Sequence, residues 1–326
     1  MKKLKVLFLI ATLFSLTSCG IIGFIELGEG ILDILSNKCE ITYVYNNGTM
    51  DYVERVEKGS IPTKPSENPT KRYFIFDGWY KDATYEEEYL FDEAINKDMT
   101  LYAGYSLDNT CTTVTEDILK TNIVVELLEE NKIFNNTISS SLVTGSGVIF
   151  KETETKYYAL TNNHVIYKDE NYNTYTYSVY DYKGYKYNAN LECYQASYDL
   201  AIVSFDKIRP LNVIEMANSN PSLYSTAVAI GQPLGVTNTI TQGEVKKYGK
   251  IVLENSDVDQ SNVKFDVITH TAEIYSGSSG GALLNNNNQL IGINYAGAEN
   301  DYGRCVASYA IPIVRVKEFL INYFNI

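Results

Sequence analysis

Three short segments follow one another along the chain: Asn162-Asn163-His164-Val165, Asp199-Leu200-Ala201-Ile202-Val203, and Gly277-Ser278-Ser279-Gly280-Gly281. They offer an imidazole, a carboxylate, and a hydroxyl on a glycine-rich turn. A serine hydroxyl attacks a carbonyl only when a base takes its proton. An imidazole does this best when a buried acid fixes its tautomer. The chain holds only two histidines, so the choice of base is narrow. Each segment alone has a plainer reading. A Gly-Ser run is commonly a flexible loop, a histidine at a strand end is commonly a core residue, and an aspartate can simply start a strand. The flanks of the serine turn argue otherwise. Apolar Ala282-Leu283-Leu284 follows at once, then asparagines 285–288, then Leu290-Ile291-Gly292-Ile293-Asn294-Tyr295, which reads as strand, turn and strand.

Chain order selects the scaffold. Gly277 to Gly281 also fits G-x-S-x-G, the elbow of α/β-hydrolases, but that fold needs its histidine after the serine. No histidine follows Ser279. The order His, Asp, Ser is that of chymotrypsin. Over residues 120–326 the chain resembles the trypsin-like serine proteases, most closely the bacterial HtrA (DegP-type) branch. The segments that carry the resemblance are Gly145-Ser146-Gly147-Val148-Ile149, Ala159 to Val165, Tyr198 to Val203, Gly243-Glu244-Val245, Gly277 to Leu284, and Leu290 to Asn294.

The resemblance implies a serine endopeptidase that needs no cofactor and no metal and acts on exported or misfolded polypeptides. Ser279 would attack, His164 would be the base and Asp199 would orient it. The turn Gly277, Ser278, Ser279 would form the oxyanion hole through the N–H groups of Gly277 and Ser279. The branch usually carries Asn where Ser278 stands, a conservative departure, because the backbone supplies the donors. Asn294, Tyr295 and Ala296 match the strand that pairs with substrate, and Tyr275 and Tyr295 would line the P1 pocket. Glu273, six residues before Ser279, stands at a position that varies in the branch, which leaves the P1 preference open. Members do not place the base where His270 stands, so it reads as structural or substrate-facing. The branch usually adds a PDZ domain after a closing helix. The sequence stops at that helix, so neither PDZ regulation nor cage assembly is carried over. The alternative is a catalytically silent, protease-like surface protein used for adhesion, which retention of all three triad residues disfavours.

The resemblance implies a mostly β frame to position these residues: two six-stranded barrels of the chymotrypsin kind. Strands at 141–150, 156–162, 175–182, 185–192 and 200–205 suit one barrel. Strands at 227–230, 238–247, 263–271, 282–284, 290–295 and 306–311 suit the other. Residues 122–129 fit strand or helix, and 313–323 show helical spacing. His164 and Asp199 would sit on the first barrel and Ser279 on the second, with the cleft between them.

A second unit precedes the protease part, which is expected over 108–326. Residues 39–107 carry Gly78-Trp79-Tyr80 and Asp98-Met99-Thr100-Leu101-Tyr102. They resemble the internalin-type B repeat (Listeria–Bacteroides repeat), which implies a small β-grasp-like module. It would bind a surface ligand or, the favoured reading, space the protease. The lone Trp79 would anchor a core too small to stand without a large aromatic.

The N-terminus sets the compartment. Lys2, Lys3 and Lys5 precede an apolar run from Val6 to Leu16, a secretory signal over 1–18 that is too short to span a membrane. Leu16-Thr17-Ser18-Cys19 resembles the bacterial lipobox, so Cys19 would carry a lipid holding the protein on the outer face of the cell membrane. Residues 19–38 would be a tether.

The formal net charge is −13, and the signal region holds lysines but no acids. A strongly acidic chain argues against nucleic acid and anionic lipid as electrostatic partners. Apart from Cys19, four cysteines remain. Cys39–Cys111 and Cys193–Cys305 are the favoured pairs, since each brackets one proposed unit. Asp169-Glu170-Asn171-Tyr172-Asn173 opens like a calcium loop but lacks its glycine and final glutamate, and reads as a surface turn.

Overall fold

The structure of the chain, a computed structural model, describes residues 37–134, 136–252 and 263–324. The signal region, Cys19 and nearly all of the tether lie outside the described residues.

The N-terminal unit is a four-stranded sheet. Its strands are β1 (Lys38–Val44), β2 (Tyr52–Glu57), β3 (Phe74–Tyr80) and β4 (Met99–Leu107), in the order β2-β1-β4-β3 with β1 and β4 parallel at the centre. Period-two alternation on β1 sends Cys39, Ile41 and Tyr43 to one buried face. There they meet Trp79, Tyr89, Ile95, Leu101 and Ala103. Trp79 stands edge-on to Tyr43 at 4.9 Å between ring centroids, so aromatic area substitutes for the aliphatic bulk this small core lacks.

A short helix, α1 (Glu116–Leu119), leads into the first barrel. It contains β5 (Asn122–Ile133), β6 (Asn136–Glu152), β7 (Lys156–Thr161), β8 (Thr174–Tyr180), β9 (Lys186–Gln195) and β10 (Leu200–Asp206), closed in the order β10-β7-β6-β5-β8-β9. The ambiguous stretch at 122–129 is strand: β5 is sandwiched between β6 and β8. Continuous burial of Asn122 to Val125 hides the alternation at its start. The turn α2 (Asn163–Ile166) follows β7.

The second barrel contains β11 (Thr226–Gly231), β12 (Thr239–Gly249), β13 (Val267–His270), β14 (Ala282–Leu284), β15 (Leu290–Glu299) and β16 (Cys305–Pro312), closed in the order β11-β12-β13-β16-β15-β14. Helix α3 (Ile313–Phe324) follows, as its spacing predicts. Val316, Phe319 and Leu320, three and four residues apart, form its buried stripe. They join a core shared by both barrels, with Val148, Leu160 and Ile202 from the first and Val228, Ile230 and Ile293 from the second. Each such side chain contributes about 1.5–3 kcal/mol by leaving water, so the seam that defines the cleft is itself a hydrophobic core.

The N-terminal sheet docks on the barrels. Tyr73, Phe74 and Leu107 pack against the shared core. Lys71 Nζ donates to the Thr237 carbonyl at 2.7 Å and lies over the Phe74 ring at 5.1 Å. Burial pulls this ammonium down to about 8. Asn46 Nδ2 reaches Thr237 Oγ1 at 3.4 Å. Glu86 and Arg209 pair at 3.7 Å but are too exposed to add much.

The favoured disulfides are not formed: Cys39, Cys111, Cys193 and Cys305 are all free. Bracketing a unit in sequence does not bring two Cα atoms to the roughly 4.4–6.8 Å a disulfide needs. Cys39 points into the module core, whereas Cys111 is exposed and its Sγ donates to Asp108 at 3.2 Å. Cys193 lies on β9 and Cys305 on β16, in different barrels. Reducing agent is therefore expected to leave the thermal midpoint unchanged; a fall of several degrees in dithiothreitol would restore the disulfides.

Trp79 is the single tryptophan, so its fluorescence reports the module alone. In urea, fluorescence and far-UV circular dichroism are expected to give one coincident transition, because the module shares packing with the barrels. Lys71→Ala is expected to split them, with fluorescence moving first; coincident curves in that variant would refute the docking account.

Candidate active site

Thr161 ends β7, and the chain turns through Asn162 into α2, which presents His164. On the neighbouring strand, Asp199 immediately precedes β10. β7 and β10 are paired with Ala201 opposite Thr161, so the residues just beyond each strand end converge. His164 Nδ1 lies 2.7 Å from Asp199 Oδ2, and the His164 N–H donates to Asp199 Oδ1 at 2.9 Å. Both carboxylate oxygens thus bond His164.

Asp199 is fully buried and sits at φ +48°, a left-handed conformation that aspartate tolerates better than most residues. It is held there on both sides. Its N–H donates to the Ala196 carbonyl, and its carbonyl accepts from Asn162 Nδ2 at 2.8 Å and the Asn163 N–H at 3.2 Å. Burial pushes the Asp199 carboxyl up; the His164 ring and the N–H groups of His164 and Asn163 pull it back without cancelling the rise.

Ser279 lies on the turn between β13 and β14. The Ser278 N–H donates to the Tyr275 carbonyl at 2.9 Å and the Gly281 N–H to the Ser278 carbonyl at 3.1 Å, which closes the turn. Gly277 has φ +93°, and a Cβ there would stand 2.3 Å from the Gln232 carbonyl oxygen, so only glycine fits. The Ser276 carbonyl accepts from the Leu234 N–H at 2.7 Å. Since the trans peptide is planar, the Gly277 N–H on the same unit points the opposite way. Among the described residues neither the Gly277 nor the Ser279 N–H has an acceptor. Ser279 Oγ donates to the Tyr295 carbonyl at 3.4 Å, a long bond, and not to the imidazole.

The two halves meet through main chain. The Ser146 N–H on β6 donates to the Ser279 carbonyl at 2.8 Å. At Gly145 a Cβ would press on the Val165 side chain of α2 at 2.6 Å and on the Ser279 carbonyl oxygen at 3.1 Å. The histidine-bearing turn and the serine-bearing turn therefore flank the same glycine.

The remaining predicted residues divide. The Asn294 amide is buried and donates inward to the Ala282 carbonyl at 3.2 Å, and the Tyr295 ring is buried in the shared core. Only Ala296 of the three is partly open. Asn294 is not free to bind substrate, because its N–H donates to the Gly281 carbonyl at 2.8 Å and its carbonyl accepts from the Gly280 N–H at 2.9 Å; pairing along this strand would have to use the backbone of Tyr295 and Ala296. Glu273 is exposed, and His270 is wholly buried on β13, where burial lowers it to about 3. Sequence reading missed Asn162, Leu234 and the side chain of Ser146. Gly145-Ser146-Gly147 carries part of the family resemblance, but nothing local to it signals a role for the hydroxyl.

Residues 145–293 match the trypsin-like peptidase domain, and residues 40–104 match the Listeria–Bacteroides repeat domain. A probable periplasmic serine protease of the do/HhoA-like type from Haemophilus influenzae is 35% identical over 169 residues, covering 52% of this chain and 34% of that protein. The periplasmic serine endoprotease DegP of Escherichia coli is 34% identical over 177 residues, covering 54% of this chain and 35% of that protein. The chain thus spans about a third of the length of these curated relatives. The solved serine endoprotease from Yersinia pestis is 27% identical with a TM-score of 0.45, covering 63% of this chain and 64% of that one.

Because folding raises the Asp199 pKa, the native state binds its proton more tightly than the unfolded chain. The stability this contributes is full below the ordinary carboxylate value of about 4 and is lost as pH rises through the raised value. Asp199→Asn carries no such loss. Its thermal midpoint relative to the parent is expected to climb as pH goes from about 4 to neutral; a difference that stays flat across that range would contradict the assignment.

Proposed function

Because residues 145–293 form a trypsin-like peptidase domain behind a Listeria–Bacteroides repeat domain, we propose that the chain is an exported serine endopeptidase working through Ser279, His164 and Asp199. The observation that carries this reading is the buried carboxylate bonded to His164 Nδ1. It leaves Nε2 as the ring nitrogen able to take a proton from a hydroxyl. In this reading Ser279 Oγ leaves its long bond to the Tyr295 carbonyl and donates to that nitrogen when substrate binds, in keeping with apo sites whose catalytic bonds tighten only with substrate.

Ser279 Oγ then attacks a peptide carbonyl while His164 takes its proton. The carbonyl oxygen becomes an oxyanion, held by the N–H groups of Gly277 and Ser279. His164 returns the proton to the leaving amine, the C–N bond breaks, and an ester to Ser279 remains. Water, deprotonated by His164, hydrolyses that ester. Asp199 keeps the imidazole in its reactive tautomer and stabilises the imidazolium. Exported or misfolded polypeptides are the proposed substrates, with the backbone of Tyr295 and Ala296 pairing to the extended chain. The signal over 1–18 would export the chain and be removed, a lipid on Cys19 would hold the enzyme at the outer face of a bacterial membrane, and the repeat module would space it or bind a surface ligand.

A fluorophosphonate probe is expected to label the mature protein at Ser279 and to leave Ser279→Ala unlabelled. Asp199→Asn is expected to lower turnover of an unfolded protein such as casein by about 10⁴-fold, as loss of the orienting acid does in a triad. A folded parent that neither labels nor cleaves would favour the silent, ligand-binding reading.

A further inference from the structure

The described residues also hold a hydroxyl that touches the oxyanion turn from the opposite barrel. We infer that Ser146 is a positioning residue: its side chain clamps the Gly277 carbonyl and so keeps the turn in its donor-outward shape. The inference rests on the protease reading above and adds a residue to it.

Ser146 is wholly buried on β6. Its Oγ donates to the Gly277 carbonyl at 2.7 Å and accepts from the Gln232 N–H at 2.9 Å. A serine hydroxyl has one proton to give, and this one is spent on Gly277. The N–H of the same residue holds the Ser279 carbonyl at 2.8 Å. One residue of the first barrel thereby fixes two peptide units of the turn, together with the start of the loop that carries Leu234.

The geometry gives this clamp its effect. Two successive carbonyls of the turn are withdrawn: that of Ser276 by the Leu234 N–H, and that of Gly277 by Ser146 Oγ. Gln232, bonded to the same hydroxyl, stands two residues before Leu234, so one side chain serves both anchors. Removing it leaves the part-buried Gly277 carbonyl and the buried Gln232 N–H without their partner, which is unfavourable. A glycine at the pivot lets the turn relieve that cost by rotating. Rotation aims a carbonyl where the oxyanion must collect, which replaces a donor with an acceptor. The cavity is cut to size. An ideal Cβ on Gly231 would stand 3.0 Å from Ser146 Oγ, and one on Gly281 would stand 3.1 Å from Ser146 Cβ.

The test compares Ser146→Ala, Ser146→Cys and a control, Thr161→Val, using dye-labelled casein and the fluorophosphonate. Thr161 Oγ1 donates to the Ser146 carbonyl at 2.8 Å, so the control loses a buried hydroxyl of the same barrel without touching the turn carbonyls. Ser146→Ala is expected to lower kcat by about ten- to hundredfold, short of the loss of a whole donor, with KM within about twofold. Ser146→Cys, a weak donor, should fall in between, and Thr161→Val should lose thermal stability with little change in kcat. An unchanged kcat in folded Ser146→Ala overturns the inference, and so does an equal fall in Thr161→Val. If the alanine variant does not fold, the cysteine variant decides by the same criterion. A parent without labelling or turnover overturns the protease reading and this inference with it; an active parent with an indifferent Ser146 overturns the inference alone.

Discussion

Everything at this site depends on a seam between two closed barrels. An imidazole and its carboxylate belong to one, and the serine turn belongs to the other. Neither barrel contains the site alone. The seam is joined at the cleft by main chain, the Ser146 N–H to the Ser279 carbonyl, and behind it by a shared apolar core capped by the closing helix. The polar contact gives registry, and the core gives cohesion. A hydrogen bond alone, at about 0.5–1.5 kcal/mol net, would not hold two barrels in alignment. Apolar burial alone would leave them free to slide.

Within the first barrel the costly element is Asp199. A carboxylate removed from water raises its own pKa and sits in a backbone conformation few residues accept. It is kept there because its surroundings leave no alternative: the ring and N–H of His164 on its side chain, Asn162 and Asn163 on its carbonyl, Ala196 on its N–H. Rigidity is bought with stability, the usual pattern where a side chain must hold a reactive partner in one tautomer.

Much of this was legible in the sequence. Strands with one wet face betray themselves by alternation and the closing helix by its three-four spacing, whereas their closure into two barrels is what the resemblance to trypsin-like proteases implies. His164, Asp199 and Ser279 stood out because chain order excluded the other triad scaffold. What failed was non-local. Strand β5 buries its first four residues, Asn122 to Val125, in a row, and its alternation begins only after them. Four cysteines suggested pairs, but even numbers carry no distances, and the fold puts Cys193 and Cys305 in different barrels. The resemblance implies Tyr295 as a pocket wall, whereas its ring turns into the core. Ser146 went unseen because a serine between two glycines carries no local sign of the carbonyl it will meet 131 residues later.

The docked N-terminal sheet has a directional consequence. A spacer on a slack leash would let the cleft sweep every orientation, and reach would depend on length alone. Here Lys71 and Asn46 grip the loop at Thr237, and Phe74 and Leu107 lie against the common core. The bearing of the cleft is therefore set by whatever holds the sheet, as the aim of a lamp is set by its bracket.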